Sequence, residues 1–455
     1  MADTPLRVII IGAGIGGLAL GQALAGAGVD VQIHERNHNA ADWLQGYRLN
    51  INPHGARALH QCLPAPLWEA FVATSVASPA GITFRTERLT ELLTLRRDDM
   101  IGGSADPARG QYGVSRLVLR NLLLAGLPDV VRFGATFERY TVGDNGRITA
   151  HFTDGRTATG DVLIGADGAN SRVRGQYLPR AGRVETAAAS IAGRLPLTPQ
   201  TRSWLPEHLA NGMTLVMPPA GMSVFAAAFA GRAQLTEAIR DGHDLAGLGV
   251  DPDLMLDDLE DYLLWSVIAH HQAYPAGAAS LDGAACKEVA REMVSDCHPA
   301  LRRMVADTAP ATVRFLRFRQ STLIEPWTSS PVTVIGDAVH NMPPVGGLGA
   351  NTALRDAAEL SRRLIAVRDR ADLIAAIGGY EARMRDYGYG AVRAAARNTE
   401  RAISSNAVAR RMGRAWFQLC RAVPALKRRS FGHEWDDSPQ RPDPVRSQVS
   451  PAAQP

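Results

Sequence analysis

Residues 6–36 read LRVIIIGAGIGGLALGQALAGAGVDVQIHER, and this stretch constrains the fold more than any other in the chain. Residues 6–11 form an apolar run of strand length. A glycine turn follows, then an Ala/Leu-rich helix over roughly 15–27, with Gly28 as its stop. A second apolar strand ends at Glu35. Strand, helix and strand within about thirty residues make a βαβ unit. Glycines at 12, 14 and 17 complete G-x-G-x-x-G between the first strand and the helix. Gly12 allows the tight turn, Gly14 lets the backbone approach a pyrophosphate, and Gly17 lets helix and strand pack closely. The anion then sits at a helix N-terminus, where unbonded N–H groups and the helix dipole favour negative charge. Glu35 lies 23 positions after Gly12, where a carboxylate can accept both ribose hydroxyls of an adenosine.

Two further glycine turns follow short apolar runs. The first is DVLIGADGANSRVR, 161–174, where Gly165 and Gly168 flank Asp167 after a strand at 162–164. The second is PVTVIGDAVHNMPPVGGLGANTALRDAAEL, 331–360. It opens as a buried strand and closes as a helix beginning near Ala350–Asn351, with Asn351 and Thr352 as candidate caps. The connection holds too many breakers for an ordinary strand-to-helix loop. Asp337 can accept hydrogen bonds from a polyol, and the PPVGGLGAN run brings bare backbone N–H groups to a helix start.

The bulk properties narrow the function classes. Lys and Arg total 49 against 45 Asp and Glu, a net charge of +4 spread along 455 residues. No basic run is interleaved with aromatics, so nucleic acid is not an expected partner. The four cysteines form no CxxC, so neither a metal framework nor a disulfide scaffold is expected. No apolar run reaches the length of a membrane span. With no signal-like start, the sequence reads as cytoplasmic.

Between the glycine turns, 46–63 reads as strand, turn and helix, 81–95 as a strand pair, and 115–127 as an amphipathic helix. The stretch 132–167 reads as a meander returning to a buried strand. Over 186–325 the texture becomes that of an antiparallel sheet. Here Met213, Met217, Met222, Phe225 and Phe229 are candidates for an apolar pocket. DLEDYLLWSVIAH and HPALRRMVADT read as helical. From 361 to about 429 the chain is Ala/Arg-rich and helical, and 431–455 has the composition of a disordered tail. The basic, apolar stretch 410–430 is either a helix packed on the body of the protein or a contact with an anionic membrane surface.

The ordered set of GAGIGG, Glu35-Arg36, Arg116, DVLIGADGANSRVR and VIGDAVHNMPPVGGLGAN resembles the class A FAD-dependent monooxygenases, the para-hydroxybenzoate hydroxylase type of aromatic hydroxylase. The resemblance spans residues 6 to about 400. It implies an α/β fold in which an FAD-binding Rossmann-like domain (1–75, 105–185 and 326–400) is interleaved with a mixed-sheet substrate domain (76–104 and 186–325). A C-terminal helical segment, 401–430, follows. It assigns Gly12, Gly14 and Gly17 to the FAD pyrophosphate, Glu35 to the adenosine ribose and Arg36 to the adenosine half. Arg48 would lie near the flavin, Arg116 near the phosphate–ribityl region, and Asp337 would bind the ribityl–pyrophosphate region. Gly349, Ala350 and Asn351 would face the pyrimidine edge of the flavin ring. The turn around Asp167 would serve FAD and a transient visit of NADPH. Arg194 stands where related enzymes can carry a functional arginine. His340 is read as a loop histidine packed on its neighbours, with a proton relay as the alternative.

The activity implied is transfer of one oxygen atom from O2 to an aromatic or polycyclic small molecule, through a flavin C4a-hydroperoxide, at the expense of NADPH or NADH. Epoxidation and Baeyer–Villiger oxidation by the same intermediate, and reduction without oxygen insertion, stay open. A monomer and a homodimer are equally compatible with the sequence.

Overall fold

The computed structural model describes residues 6–38, 48–77, 81–96, 99, 106–219, 221–241, 245–250 and 260–431. Gly46 and Tyr47, which open the 46–63 segment, and the tail from Gly432 onward lie outside the described residues.

The fold is built on a five-stranded parallel sheet. Its spatial order is Val332–Val334, Val162–Gly165, Arg7–Ile11, Asp30–His34 and Val131–Arg132. The middle strands are covered on both faces, which is why they read as unbroken runs of Val and Ile. Val8, Ile9, Ile10, Val162, Leu163 and Ile164 are fully buried. Ile15–Gly26 is a helix of small residues because it has neighbours nearly all round. Gln22 donates from it to the carbonyls of Leu123 and Ala125 at 2.9 and 2.7 Å. On another side, a Cβ at Gly16 would come within 3.3 Å of Ala353 in the helix Gly349–Ile365. The edge strand Val332–Val334 is short, and the 34-residue helix Arg370–Ile403 packs behind it, with the Tyr380 hydroxyl donating to Val334 O at 3.1 Å.

A second sheet has seven strands in the order Arg314–Ser321, Arg183–Pro196, Tyr262–His270, Met222–Phe229, Met213–Val216, Ile82–Arg85 and Glu91–Leu95. Alternate residues point to two different covers. Ile191, Leu263, Trp265 and Val267 pack under the helices Gly283–Met293 and Pro299–Ala306, with Leu301 and Met304. The Trp265 indole N–H donates to Thr308 Oγ1 at 2.8 Å. The other face turns toward the parallel sheet's domain.

Residues 262–270 therefore form a central strand and not the helix that DLEDYLLWSVIAH suggests. Seven of the nine positions, all but Ser266 and His270, are apolar or aromatic, so no period-two alternation shows, and such a run does not separate strand from buried helix. Met222 also departs from expectation. It pairs with Ala269 and packs with the helical cover, away from the face that holds Phe225 and Phe229.

Two small sheets complete the body: Arg48–Ile51 with Tyr112–Ser115 and Val76–Ala77, and the meander Phe137–Val142, Ile148–Phe152, Thr157–Gly160. The helices Ala407–Ala422 and Pro424–Phe431 lie on the edge strand Glu91–Leu95. All four cysteines are free thiols and buried.

Candidate functional site

The three glycine turns leave the carboxyl ends of three adjacent parallel strands. Ile11 pairs with Gly165, and Gly165 pairs with Val334, so turns remote in sequence emerge side by side. Backbone bonds lock the row: Ala166 N donates to Ile11 O at 2.8 Å and Ile335 N to Gly165 O at 2.9 Å. In open parallel sheets, ligands bind at the carboxyl ends of the strands.

The first turn is shaped by close approach. Gly12 has φ +109°, and a Cβ there would lie 2.4 Å from Ala166 O. A Cβ on Gly17 would lie 2.1 Å from Gly12 O, so only glycine lets the helix start this near its own loop. Gly14 is different, because a Cβ on it would meet nothing within 4 Å. It is the N-cap of the helix, offers no side-chain cap, and faces open space with the first-turn amides behind it.

The two flanking carboxylates have distinct states. Glu35 is buried. Its Oε2 accepts from Ala13 N at 2.7 Å and its Oε1 from Asn37 N at 3.0 Å, tying the second strand's end to the glycine loop. Asp337 is exposed in the first turn of Asp337–His340, and a Cβ on Gly349 would come 3.8 Å from its Oδ1. Between them stands the helix Arg116–Leu124. Arg116 faces the charge of Asp337, and Arg120 faces that of Glu35, with Arg120 Nε donating to Ala13 O at 3.4 Å. Burial lowers the pKa of both guanidiniums, and the facing carboxylates oppose that shift. Arg120 escapes a reading of the sequence. The signal available is its position four residues after Arg116, one turn along the same helix face.

Asp167 divides its oxygens. Oδ2 accepts from Arg172 N and Val173 N at 2.8 and 3.2 Å, while Oδ1 is buried without a hydrogen-bond partner among the described residues. Burial raises its pKa. Arg36 is exposed just past the second strand.

The helix Gly349–Ile365 begins without a side-chain cap at Leu348, so the amides of Gly349, Ala350 and Asn351 form an uncapped first turn. Asn351 and Thr352 thus lie inside the helix rather than capping it. The Asn351 side chain is committed elsewhere. Its Oδ1 accepts from Asn52 N at 2.9 Å, and its Nδ2 donates to Asn50 O at 2.8 Å and Gly347 O at 2.9 Å. Only its backbone amide is left to face a ligand. Asn351→Ala would cut the tie between this helix and the segment 50–52. We expect a loss of about 1–3 kcal/mol, read by thermal or urea unfolding, since the buried Asn52 amide and the half-buried Asn50 carbonyl lose their partners.

Below the third turn lies a closed polar cluster. Asp356 and His340 are both fully buried, with His340 Nε2 and Asp356 Oδ2 2.6 Å apart. The same Asp356 oxygen accepts from Gly336 N at 2.7 Å, and Oδ1 accepts from the Tyr387 hydroxyl at 2.7 Å. His340 is thus the interior support of the Gly336–Asp337 turn.

Above the turns, the free face of the seven-stranded sheet forms a roof. Cross-strand pairing sets Arg194, Leu264, Ala227 and Met213 in one row and Ala192, Ser266, Phe225 and Leu215 in the next. Tyr262 and Phe229 adjoin them, with ring centroids 5.7 Å apart. Arg48 links this roof to the domain below: its amide donates to the Tyr262 hydroxyl at 2.7 Å and its Nη1 to Ala228 O at 2.8 Å. Burial lowers the Arg48 pKa, against the attraction of Tyr262. The Arg194 guanidinium stands 5.5 Å from the Tyr262 ring centroid. Tyr262 is the second residue that sequence reasoning misses, because it lies in the stretch read as helix.

Comparison with known proteins agrees with this arrangement. The FAD binding domain family model matches residues 5–225 and 271–395. The chain is 32% identical over 403 residues to the dual O-methyltransferase/FAD-dependent monooxygenase elcB of Phaeosphaeria nodorum, covering 82% of this chain and 42% of that protein. It is 28% identical over 372 residues to the FAD-dependent monooxygenase cctM of Talaromyces islandicus, covering 79% of this chain and 83% of that one. The chain thus spans less than half the length of its dual-function relative. Among solved structures, a chain assigned as an FAD containing monooxygenase from Photorhabdus luminescens subsp. laumondii superposes with a TM-score of 0.76 at 32% identity, covering 88% of this chain and 98% of that one. All three glycine turns fall within the residues matched by the FAD binding domain model, and this chain belongs to the family of FAD-dependent monooxygenases.

Proposed function

We propose that the protein uses FAD, NAD(P)H and O2 to hydroxylate an aromatic or polycyclic small molecule held between the glycine turns and the sheet roof. The observation that carries this reading is the convergence of three glycine turns, two carboxylates and an uncapped helix start beneath an apolar sheet face with one inward arginine. The cradle fits a dinucleotide: Gly14 opens onto space, and Asp167 keeps one buried oxygen without a donor.

Bound there, FAD supplies the redox chemistry, accepting hydride from NAD(P)H and activating O2. In this reading Gly12, Gly14 and Gly17 admit the pyrophosphate, and Glu35 holds the ribose with Arg36 alongside. Arg116 and Asp337 hold the phosphate–ribityl portion, and Asp167 accepts from the bound dinucleotide. The amides of Gly349, Ala350 and Asn351 meet developing negative charge on the ring. Arg48 closes the roof onto the lower domain and keeps water out, which oxygen transfer requires. The apolar rows around Phe225, Leu264 and Met213 take a flat ring, and Arg194 orients its anionic or phenolic oxygen. The fused O-methyltransferase of the Phaeosphaeria relative fits a hydroxylated product, since O-methylation needs a hydroxyl oxygen.

The test is to purify the protein, record flavin absorbance, and follow NADPH oxidation and O2 uptake against a panel of phenols and polycyclic aromatics. A ligand that accelerates both in step, with a hydroxylated product, supports the proposal. Reduction without O2 uptake makes the protein a reductase. For an acidic ring substrate, Arg194→Ala should raise KM by about 10- to 100-fold, the loss of one charge-assisted hydrogen bond. Flavin content should be unchanged and Arg194→Lys should recover part of the loss. An unaltered KM would remove Arg194 from the substrate site.

A further inference from the structure

We propose that the helix Ala407–Ala422, with the short helix after it, is a peripheral docking surface for an anionic lipid bilayer. The helix is held to the protein by one face. Phe417 packs on Phe84 with ring centroids 4.6 Å apart, and Cys420 is fully buried with Leu93 and Leu95. Two arginines act as pins on the same side. Arg410 donates to the carbonyls of Pro218, Ala402 and Ser404, and Arg414 pairs with Glu87 and donates to Met217 O.

The opposite face is apolar and has no cover among the described residues. Val408, Met412, Trp416, Leu419 and Val423 are 66, 68, 43, 47 and 41% exposed. Their spacings of four, four, three and four place them on one stripe along the helix. Nothing in the anchoring requires them to be apolar.

Charge identifies the occupant. Residues 407–431 hold seven basic side chains and no acid. Arg410 and Arg414 are spent inward, Arg421 lies 3.7 Å from Glu91, and Lys427 pairs with Asp99. Arg411, Arg428 and Arg429 are exposed and pair with no acid among the described residues. A Trp/Leu/Met stripe flanked by arginine is the composition of a helix lying in a membrane interface. A second copy on this face would bring the same arginines together with no acid in the segment to answer them. Among the described residues no helix is long and apolar enough to cross a membrane, so the contact is peripheral.

The test is co-sedimentation of the full-length FAD-loaded protein with phosphatidylcholine vesicles, and with vesicles containing about one-third phosphatidylglycerol. Each arginine brought to an anionic surface is worth about fivefold in affinity, so binding at least about tenfold tighter to the anionic vesicles is expected. High salt should weaken it. Trp416→Ser with Leu419→Ser, and separately Arg411→Gln with Arg428→Gln and Arg429→Gln, should each abolish that preference. Flavin absorbance and thermal midpoint should hold, because all five positions lie off the anchoring face. Absence of sedimentation with either vesicle overturns the proposal, as does equal binding to both. A concentration-dependent dimer lost in the serine variant, without vesicle binding, gives the face to a second copy instead.

Discussion

Gly14→Asp should abolish FAD binding and leave the apoprotein folded, whereas Gly17→Ala should damage the fold itself. The two positions lie three residues apart in one motif and have opposite surroundings. A Cβ at Gly14 meets nothing within 4 Å, so a side chain there costs the empty protein little. With FAD held as proposed, it would occupy the space of the pyrophosphate. Its carboxylate would also take the place of the anion at the helix N-terminus, close to amides that a phosphate needs. A Cβ at Gly17 falls 2.1 Å from Gly12 O and 3.1 Å from the Ala166 Cβ. The first contact is with backbone that is itself locked, since Gly12 N donates to His34 O at 2.8 Å. Relief requires the helix to move off the sheet, an overpacking cost of about 1–3 kcal/mol or more. Far-ultraviolet circular dichroism and thermal unfolding of the apoproteins, beside flavin absorbance of the purified variants, separate the cases. A Gly14→Asp protein that retains full flavin content would place the pyrophosphate elsewhere. A Gly17→Ala apoprotein with an unchanged midpoint would show that the helix can shift without cost.

Those glycines were readable because the constraint on them is local. Strand, turn and helix are contiguous: Gly12 is required by its φ of +109° and Gly17 by its approach to Gly12 O, while Gly14 is legible only through the spacing of the motif. The turns at 165–168 and 336–337 were readable singly, but nothing in the sequence says that Gly165 stands between Ile11 and Val334. That depends on strand order, which tertiary packing sets. Arg120 is illegible in the sequence because it is buried on its helix, where an arginine reads as exposed until Glu35 is seen opposite. Tyr262 escapes a reading of the sequence because its strand carries apolar residues on both faces and loses its period-two alternation. Asn351 looked like a cap because its type suits one. Its Oδ1 is instead taken by Asn52, about 300 residues earlier in the chain.

The least legible part of the site is the support beneath it, and Asp356→Asn should be its most damaging single change. Asp356 lies within the helix Gly349–Ile365, four residues after Thr352, and its type gives no hint of burial. In the fold its two oxygens take the Gly336 amide, the His340 ring and the Tyr387 hydroxyl. Burial alone lowers the His340 pKa. The Asp356 carboxylate 2.6 Å away, aided by Asp337, more than offsets that, so the net shift is upward from 6.5. Burial and Asp356 together push the Tyr387 pKa well up, so the phenol stays a donor. Removing one member of a buried ion pair costs about 3–5 kcal/mol, because the other is left in the interior without its counter-charge. The loss should also reach the ligand. Gly336 loses the carboxylate that fixes its amide, and Asp337 follows it directly, so flavin content should fall with stability. The pH dependence tests the charge state. His340 has a folded pKa above its unfolded value, so the pair's contribution is complete below about pH 6.5 and fades as pH rises through the folded pKa. The stability gap between the parent and Asp356→Asn should therefore be widest in mild acid and narrow toward alkaline pH. His340→Asn, which removes the titrating ring, should flatten that dependence. A gap of constant size across this range would mean that His340 is neutral in the folded protein and that Asp356 acts through Gly336 and Tyr387 alone.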